Sequence, residues 1–230
     1  MRLIILPGTD GTGVLLEPFR AALGDVNAQV LAYPLDRPLD HAALAAWVRP
    51  QLPTQERYVL LGESFAGPLA VLLAADAPPA CAGVVLCASY VRHPSALLRA
   101  LAPLSAFAPV RAVPTLLLAW WLLGRWSNAA WRRRLHAAIA LVPARVLRAR
   151  LNAALRVDVR AELARVRVPL LHLAPSRDRV VPAQAAARAI AAAAPQARRL
   201  TIDGPHFLLQ AAAEESATAV RAFLAQCRGD

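Results

Sequence analysis

The stretch Val59-Leu60-Leu61-Gly62-Glu63-Ser64-Phe65-Ala66-Gly67 runs from an apolar strand through a serine set among small residues into a helical pattern. A nucleophile elbow needs this arrangement, because the serine must sit on a strained strand-to-helix turn that lifts its Oγ above the sheet. Small residues are required two places before and two places after it, where neighbouring backbone comes close. Gly62 supplies the first and Ala66 the second, so the usual Gly-x-Ser-x-Gly becomes Gly-x-Ser-x-Ala, with Gly67 one place later. The plainer reading of the same letters is a serine capping an ordinary helix.

Outward from this turn, short apolar runs alternate with amphipathic segments. The runs are Leu3–Leu6, Val30–Tyr33, Tyr58–Leu61, Val84–Cys87, Pro169–Leu173 and Leu200–Ile202. Nearly continuous apolar strands of this kind indicate a parallel sheet covered on both faces. Leu15–Leu23, Ala42–Leu52 and Phe65–Ala75 fit crossover helices, and Glu214–Cys227, acidic near its start and with Arg221 towards its end, fits a closing one. The alternation fails between Tyr90 and Val166, where Pro94, Pro103, Pro109, Pro114 and Pro143 divide a Leu-, Ala-, Trp- and Arg-rich segment into short helices. The expectation is an α/β single domain with a mostly parallel sheet of about six strands. Residues 1–89 and 167–230 form its core, and residues 90–166 form a helical cap over the strand ends where ligands bind in open α/β sheets.

Serine is a weak nucleophile until a base takes its proton. Of the five histidines, His206 follows the last expected strand in Ile202-Asp203-Gly204-Pro205-His206-Phe207, at the same edge of the sheet as Ser64. His41 and His136 lie on helical faces, His93 opens the inserted segment, and His172 sits inside an apolar strand as a core imidazole. The third partner must orient the imidazole and balance its charge. Asp178 in Pro175-Ser176-Arg177-Asp178-Arg179 again follows a strand; its other reading is a turn residue bridged to Arg177 or Arg179. Asp203, three residues before His206 on a tight loop, is poorly placed to reach Nδ1, and Ala88-Ser89-Tyr90 offers no acid. The order Ser64, Asp178, His206 is the one this arrangement uses.

Acyl transfer also needs donors for a tetrahedral oxyanion. The backbone N–H of Phe65 is one. The glycine-rich loop Leu6-Pro7-Gly8-Thr9-Asp10-Gly11-Thr12-Gly13 supplies the other, at the N–H of Thr9. A phosphate-binding loop is the rival reading, but the stretch has neither a Gly-Lys-Ser/Thr ending nor Gly-x-Gly-x-x-Gly spacing.

The 230-residue chain is 57% hydrophobic, and its formal net charge is +11, with 26 basic residues, all Arg. Spread evenly and attached to no recognition motif, that charge gives no reason to expect nucleic acid as a partner. Cys81, Cys87 and Cys227 are odd in number and at no metal-ligand spacing, as expected of buried thiols in a reducing, cytoplasmic setting with no metal or cofactor. The start, Met1 to Gly8, does not read as a signal peptide. Ala112–Gly124, between Arg111 and Arg125, is too short to span a bilayer, which takes about 20 apolar residues. Leu116-Leu117-Leu118-Ala119-Trp120-Trp121-Leu122-Leu123 is apolar all round and should pack on the core or face a lipid-like substrate. Trp126 and Trp131 with Arg132-Arg133-Arg134 would suit a peripheral contact with an anionic membrane; a solvated basic helix face is the simpler reading.

Leu-Pro-Gly-x-Asp-Gly-Thr-Gly at 6–13 and Gly-Glu-Ser-Phe-Ala-Gly at 62–67 together resemble the α/β-hydrolase superfamily, in a branch of small bacterial serine hydrolases with a helical cap. That branch is also similar to the hydrolase-like part of plant phytyl ester synthases, which are acyltransferases. The resemblance implies Ser64 as nucleophile, His206 as base, Asp178 as acid, Thr9 and Phe65 as oxyanion donors, and residues 90–166 as the cap. The family's sheet commonly has eight strands, and this chain starts at what would be the third. The implied activity is hydrolysis of a small-molecule or lipid-like ester or thioester. Acyl transfer to an alcohol, or a catalytically idle binding protein of the same fold, are the alternatives.

Overall fold

The computed structural model describes residues 1–229. Six parallel strands, β1 (Arg2–Leu6), β2 (Ala28–Val30), β3 (Tyr58–Glu63), β4 (Cys81–Cys87), β5 (Leu170–Pro175) and β6 (Arg198–Ile202), form one sheet in the order β2-β1-β3-β4-β5-β6. Side chains alternate between its faces, as the pleat requires. Ile4, Leu6, Leu60, Val84, Leu86 and Leu170 point to one side, under α2 (His41–Val48), α3 (Ala66–Ala75) and α9 (Ala183–Ala193). Leu3, Ile5, Val59, Leu61, Val85, Leu171 and Leu173 point to the other, under α1 (Glu17–Ala22), α10 (Leu208–Ala211) and α11 (Ala213–Gly229).

The second strand sits earlier than the apolar run Val30–Tyr33 suggests. Pairing stops after Val30, and Leu31 and Tyr33 are buried beyond the sheet instead, with Tyr33 Oη donating to the Pro7 carbonyl at 3.0 Å. Its apolar ring thus serves the β1 loop, which a period-two pattern does not reveal. β2 is an edge strand of three residues, a short length that limits edge-to-edge pairing.

The β4–β5 connection carries α4 (Ala96–Ala100), a 3-10 segment (Ala102–Phe107), α5 (Thr115–Leu123), α6 (Ala129–Leu141), α7 (Ala144–Arg156) and α8 (Arg160–Leu163). Among the described residues it contributes no strand to the sheet, only an isolated bridge between Arg92 and Asp158. Its end joins the main core through Val159, Leu163 and Val166. α5 is less enclosed than its composition suggests. Ala119 and Leu123 pack inward, while Leu116, Leu117, Trp120 and Trp121 stay exposed. No helix among the described residues is long and apolar enough to cross a membrane.

The chain leaves β1 for β2 on one side and returns past β1 to β3. Loops that diverge from adjacent strands at such a reversal open a crevice above the carboxyl ends of those strands. Here the diverging loops are residues 7–13 and the β3–α3 turn.

Candidate active site

Ser64 stands at the end of β3 with φ of +51°, a left-handed conformation uncommon outside glycine. Three backbone bonds hold it there: its N–H donates to Cys87 O at 2.8 Å, and its carbonyl accepts from Gly67 N at 3.1 Å and Ser89 Oγ at 2.5 Å. The small-residue requirement follows from contacts. A Cβ on Gly62 would lie 2.4 Å from the Ala66 carbonyl oxygen, and one on Gly67 would lie 1.9 Å from Ser89 Oγ. Gly67 is therefore needed for Ser89 to approach, a pairing that neither residue signals in the sequence.

Ser64, His206 and Asp178 come together although they are far apart in the chain. Ser64 Oγ lies 2.7 Å from His206 Nε2, and His206 Nδ1 lies 2.8 Å from Asp178 Oδ2. His206 is 2% exposed and the Asp178 side chain 1%. The other carboxylate oxygen, Asp178 Oδ1, accepts the N–H groups of Val180 and Val181, both at 2.8 Å. Asp178 does not bridge the arginines beside it: Arg177 pairs with Asp203, and Arg179 lies over the Trp120 ring. Asp203 accepts from Ser176 Oγ, Arg177 Nε and Arg125 Nη2, which lowers its pKa and holds it among those partners rather than at His206. A hydroxyl so placed can pass its proton to the imidazole, whose resulting charge the carboxylate stabilises.

Thr9 and Phe65 flank this chain. β1 pairs with β3 through Leu6 and Gly62, so the loop carrying Thr9 leaves the sheet beside the Ser64 turn. Their backbone N–H groups donate to no carbonyl among the described residues. Phe65 is fixed by His41, which its place on a helix left as a surface or packing residue. His41 is 5% exposed, stacks on the Phe65 ring at 4.3 Å, and donates from Nε2 to the Phe65 carbonyl at 2.8 Å. Burial drives its pKa down to about 4, so it is neutral at pH 7.

In sequence Glu63 is only the variable letter of the turn, yet its carboxyl is buried beside the loop. It accepts from Gln210 Nε2 at 2.8 Å and from the Gly8 N–H. Desolvation raises its pKa to about 7. In the unfolded chain this carboxyl ionises near its ordinary 4.5; in the folded protein it holds its proton to about 7. The unfolded state binds fewer protons in that window, so Glu63 makes stability fall as pH rises from about 4.5 through about 7, by on the order of 3 kcal/mol. Glu63→Gln is expected to remove this slope. Urea unfolding at pH 5 and pH 8 checks it: wild type should lose more stability than the variant between the two, and parallel losses would refute the assignment.

Helix α5 is tied to the loops that carry Asp178 and His206. Arg179 Nη1 donates to the Trp120 carbonyl at 3.1 Å, and the Phe207 N–H donates to the Leu122 carbonyl at 2.9 Å. Trp120 and Leu122 thus lie beside those two loops, while Leu116, near the start of α5, adjoins Arg132, Arg133 and His136 of α6. The basic run on α6 is partly spent within the protein: Arg134 pairs with Glu17 and lies over the half-buried Trp131.

The profile of the family described as serine aminopeptidase, S33, matches residues 39–206. No curated protein matches the chain. Among solved structures, a bromoperoxidase from Bacillus anthracis superposes with a TM-score of 0.82 at 16% identity, over 97% of this chain and 91% of that one. A lipase-esterase related protein from Clostridium acetobutylicum gives 0.79 at 14% identity, over 96% and 93%. A hydrolase from Pseudomonas aeruginosa gives 0.76 at 24% identity, over 97% and 89%. These likenesses establish the α/β-hydrolase fold.

Proposed function

The chain belongs to the serine aminopeptidase S33 family, and we propose that it is a serine hydrolase cleaving a carboxylic ester or thioester with an apolar acyl group. The observation that carries this reading is the Ser64–His206–Asp178 hydrogen-bond chain at the strand ends. His206 Nε2 takes the Ser64 proton as Oγ attacks the substrate carbonyl. The N–H groups of Thr9 and Phe65 receive the oxyanion, and Asp178 holds the imidazolium. Collapse of the tetrahedral intermediate expels the alcohol or thiol, which takes the proton from His206. His206 then takes a proton from water as its oxygen attacks the acyl carbonyl, and collapse expels Ser64 Oγ, which regains the proton from His206 and frees the acid.

The helical cap argues for an acyl group over an amino terminus. An aminopeptidase must hold a substrate ammonium, which takes a carboxylate near the serine. Residues 90–166 carry thirteen arginines and only two acids, Asp158 and Glu162, and Asp158 is committed to Arg92 and Arg160. Of the carboxyls nearer the serine, Glu63 is buried against Gln210 and Asp10 is engaged by Thr12. Trp120, exposed on the part of α5 tied to the Asp178 and His206 loops, favours an alkyl or aryl chain. Peripheral membrane contact through Trp126, Trp131 and Arg132–Arg134 has weaker support, since Arg134 and Trp131 are occupied within the protein.

A p-nitrophenyl ester series from acetyl to dodecanoyl, run beside an aminoacyl p-nitroanilide, tests the proposal. Hydrolysis of the esters with kcat/KM rising along the series is expected, and anilide cleavage without esterase activity would overturn it. Trp120→Ala is expected to lower kcat/KM for the decanoyl ester about 10-fold, as lost burial of part of an acyl chain should, and to leave the acetyl ester within about twofold. Equal losses on both would place Trp120 outside the acyl path.

A further inference from the structure

We propose that Arg150, on α7 in the cap, is the positioning residue of the oxyanion site. This rests on the Ser64 reading above. Arg150 is the largest fully buried side chain in the protein, at 1% exposure. Among the described residues it forms no salt bridge; its guanidinium is satisfied by backbone carbonyls. Nη1 donates to Thr9 O at 3.0 Å and Asp10 O at 2.6 Å, and Nη2 donates to Pro34 O at 3.1 Å. Its plane lies 5.4 Å from the Tyr33 ring centre, and Tyr33 in turn holds the Pro7 carbonyl. Burying a cation is costly, and the charge of Asp10 offsets that cost only through space, without an ion-pair contact. Filling the same space with an apolar side chain would avoid that cost, so packing alone does not account for an arginine.

The loop's hydrogen bonds show what the cation achieves. The Gly11 N–H closes a turn on the Gly8 carbonyl at 3.0 Å, with Thr9 and Asp10 as its two central residues. The Gly8 N–H goes to Glu63, the Thr12 N–H to Asp10 Oδ2 at 3.0 Å, and Pro7 has no N–H to give. Among the described residues 7–12, only the N–H groups of Thr9 and Asp10 are left without an acceptor. A peptide unit is planar, with its N–H and C=O on opposite sides. The Thr9 carbonyl shares its plane with the Asp10 N–H, and the Asp10 carbonyl shares its plane with the Gly11 N–H, so the guanidinium fixes both of those planes directly. The Gly11 N–H in turn holds the Gly8 carbonyl, whose plane carries the Thr9 N–H, so the Thr9 donor is set through the closed turn and left unspent. Arginine suits this task because its rigid fork offers five donors and stays charged. Gly11 makes room for it: at φ of +69°, a Cβ there would lie 2.5 Å from Arg150 Nη1. A helix of the cap thus sets the geometry of a loop from the core.

The experiment compares wild type, Arg150→Met and Arg150→Lys, each titrated with a fluorophosphonate so that turnover is expressed per reactive Ser64. On p-nitrophenyl butyrate, kcat should fall about 10- to 100-fold in Arg150→Met and less in Arg150→Lys, with KM within about threefold. Affinity for an alkyl boronic acid, which becomes tetrahedral on the serine, should fall by a similar factor. A lower melting temperature with kcat per titrated site and boronate affinity at wild-type levels would overturn the positioning role. If Arg150→Met does not fold, Arg150→Lys, which keeps the stem and charge without the fork, decides the same comparison. Failure of the Ser64 reading shows itself earlier and separately, as a folded wild type that neither labels nor turns over, and it removes this inference with it.

Discussion

Ser64→Ala is expected to lower ester turnover about 10⁵-fold and to abolish fluorophosphonate labelling, while the protein stays folded. The separation is possible because the serine's structural and chemical tasks fall on different atoms. Its backbone N–H and carbonyl hold the turn through Cys87, Gly67 and Ser89, and all three bonds survive the substitution. Its hydroxyl bonds to His206 Nε2. Alanine occupies the same positive-φ position with a side chain no larger, so melting should shift by no more than a few degrees. Labelling with turnover is the check. If Ser64→Ala keeps more than about a hundredth of wild-type turnover, the nucleophile is another group. Ser89, whose hydroxyl touches the Ser64 turn, is poorly suited: it is 1% exposed and donates to the Ser64 carbonyl.

The strands were legible because burial on both faces of a parallel sheet writes long apolar runs, and the structure places six strands at or near them. β2 drifted because Tyr33 is buried against a loop rather than in the sheet, and an apolar letter does not say which. Ser64, Asp178 and His206 stood out through local context, each on a turn after a strand. The residues around them gave no such signal. Glu63 and Gln210 meet across 147 residues, His41 reaches Phe65 from the preceding helix, and Gly67 matters only because Ser89 lies against it. Arg150 is one arginine in a chain that has no other basic residue type besides histidine, so nothing in its letter distinguishes it. Such partners are fixed by tertiary packing, and reading them needs the coordinates of both ends.

Asp178→Asn should cost about 10⁴-fold in kcat with little change in KM or in stability. The reason lies in how the two carboxylate oxygens are used. Oδ1 accepts two N–H groups, from Val180 and Val181, while Oδ2 faces His206 Nδ1. In the variant the amide oxygen must stay with the two N–H donors, since an NH₂ there would set donors against donors. The amide NH₂ is then turned toward Nδ1, which has to accept. That forces the imidazole proton onto Nε2, the nitrogen that faces Ser64 Oγ. The hydroxyl loses its base although every heavy atom keeps its place. Fluorophosphonate labelling should slow in parallel, because it too requires removal of the serine proton. Asp203→Asn is the control: its carboxylate is spent on Ser176, Arg177 and Arg125, so turnover should stay within a few-fold of wild type. The reverse pattern, a mild Asp178→Asn and a severe Asp203→Asn, would move the orienting acid to the His206 loop itself.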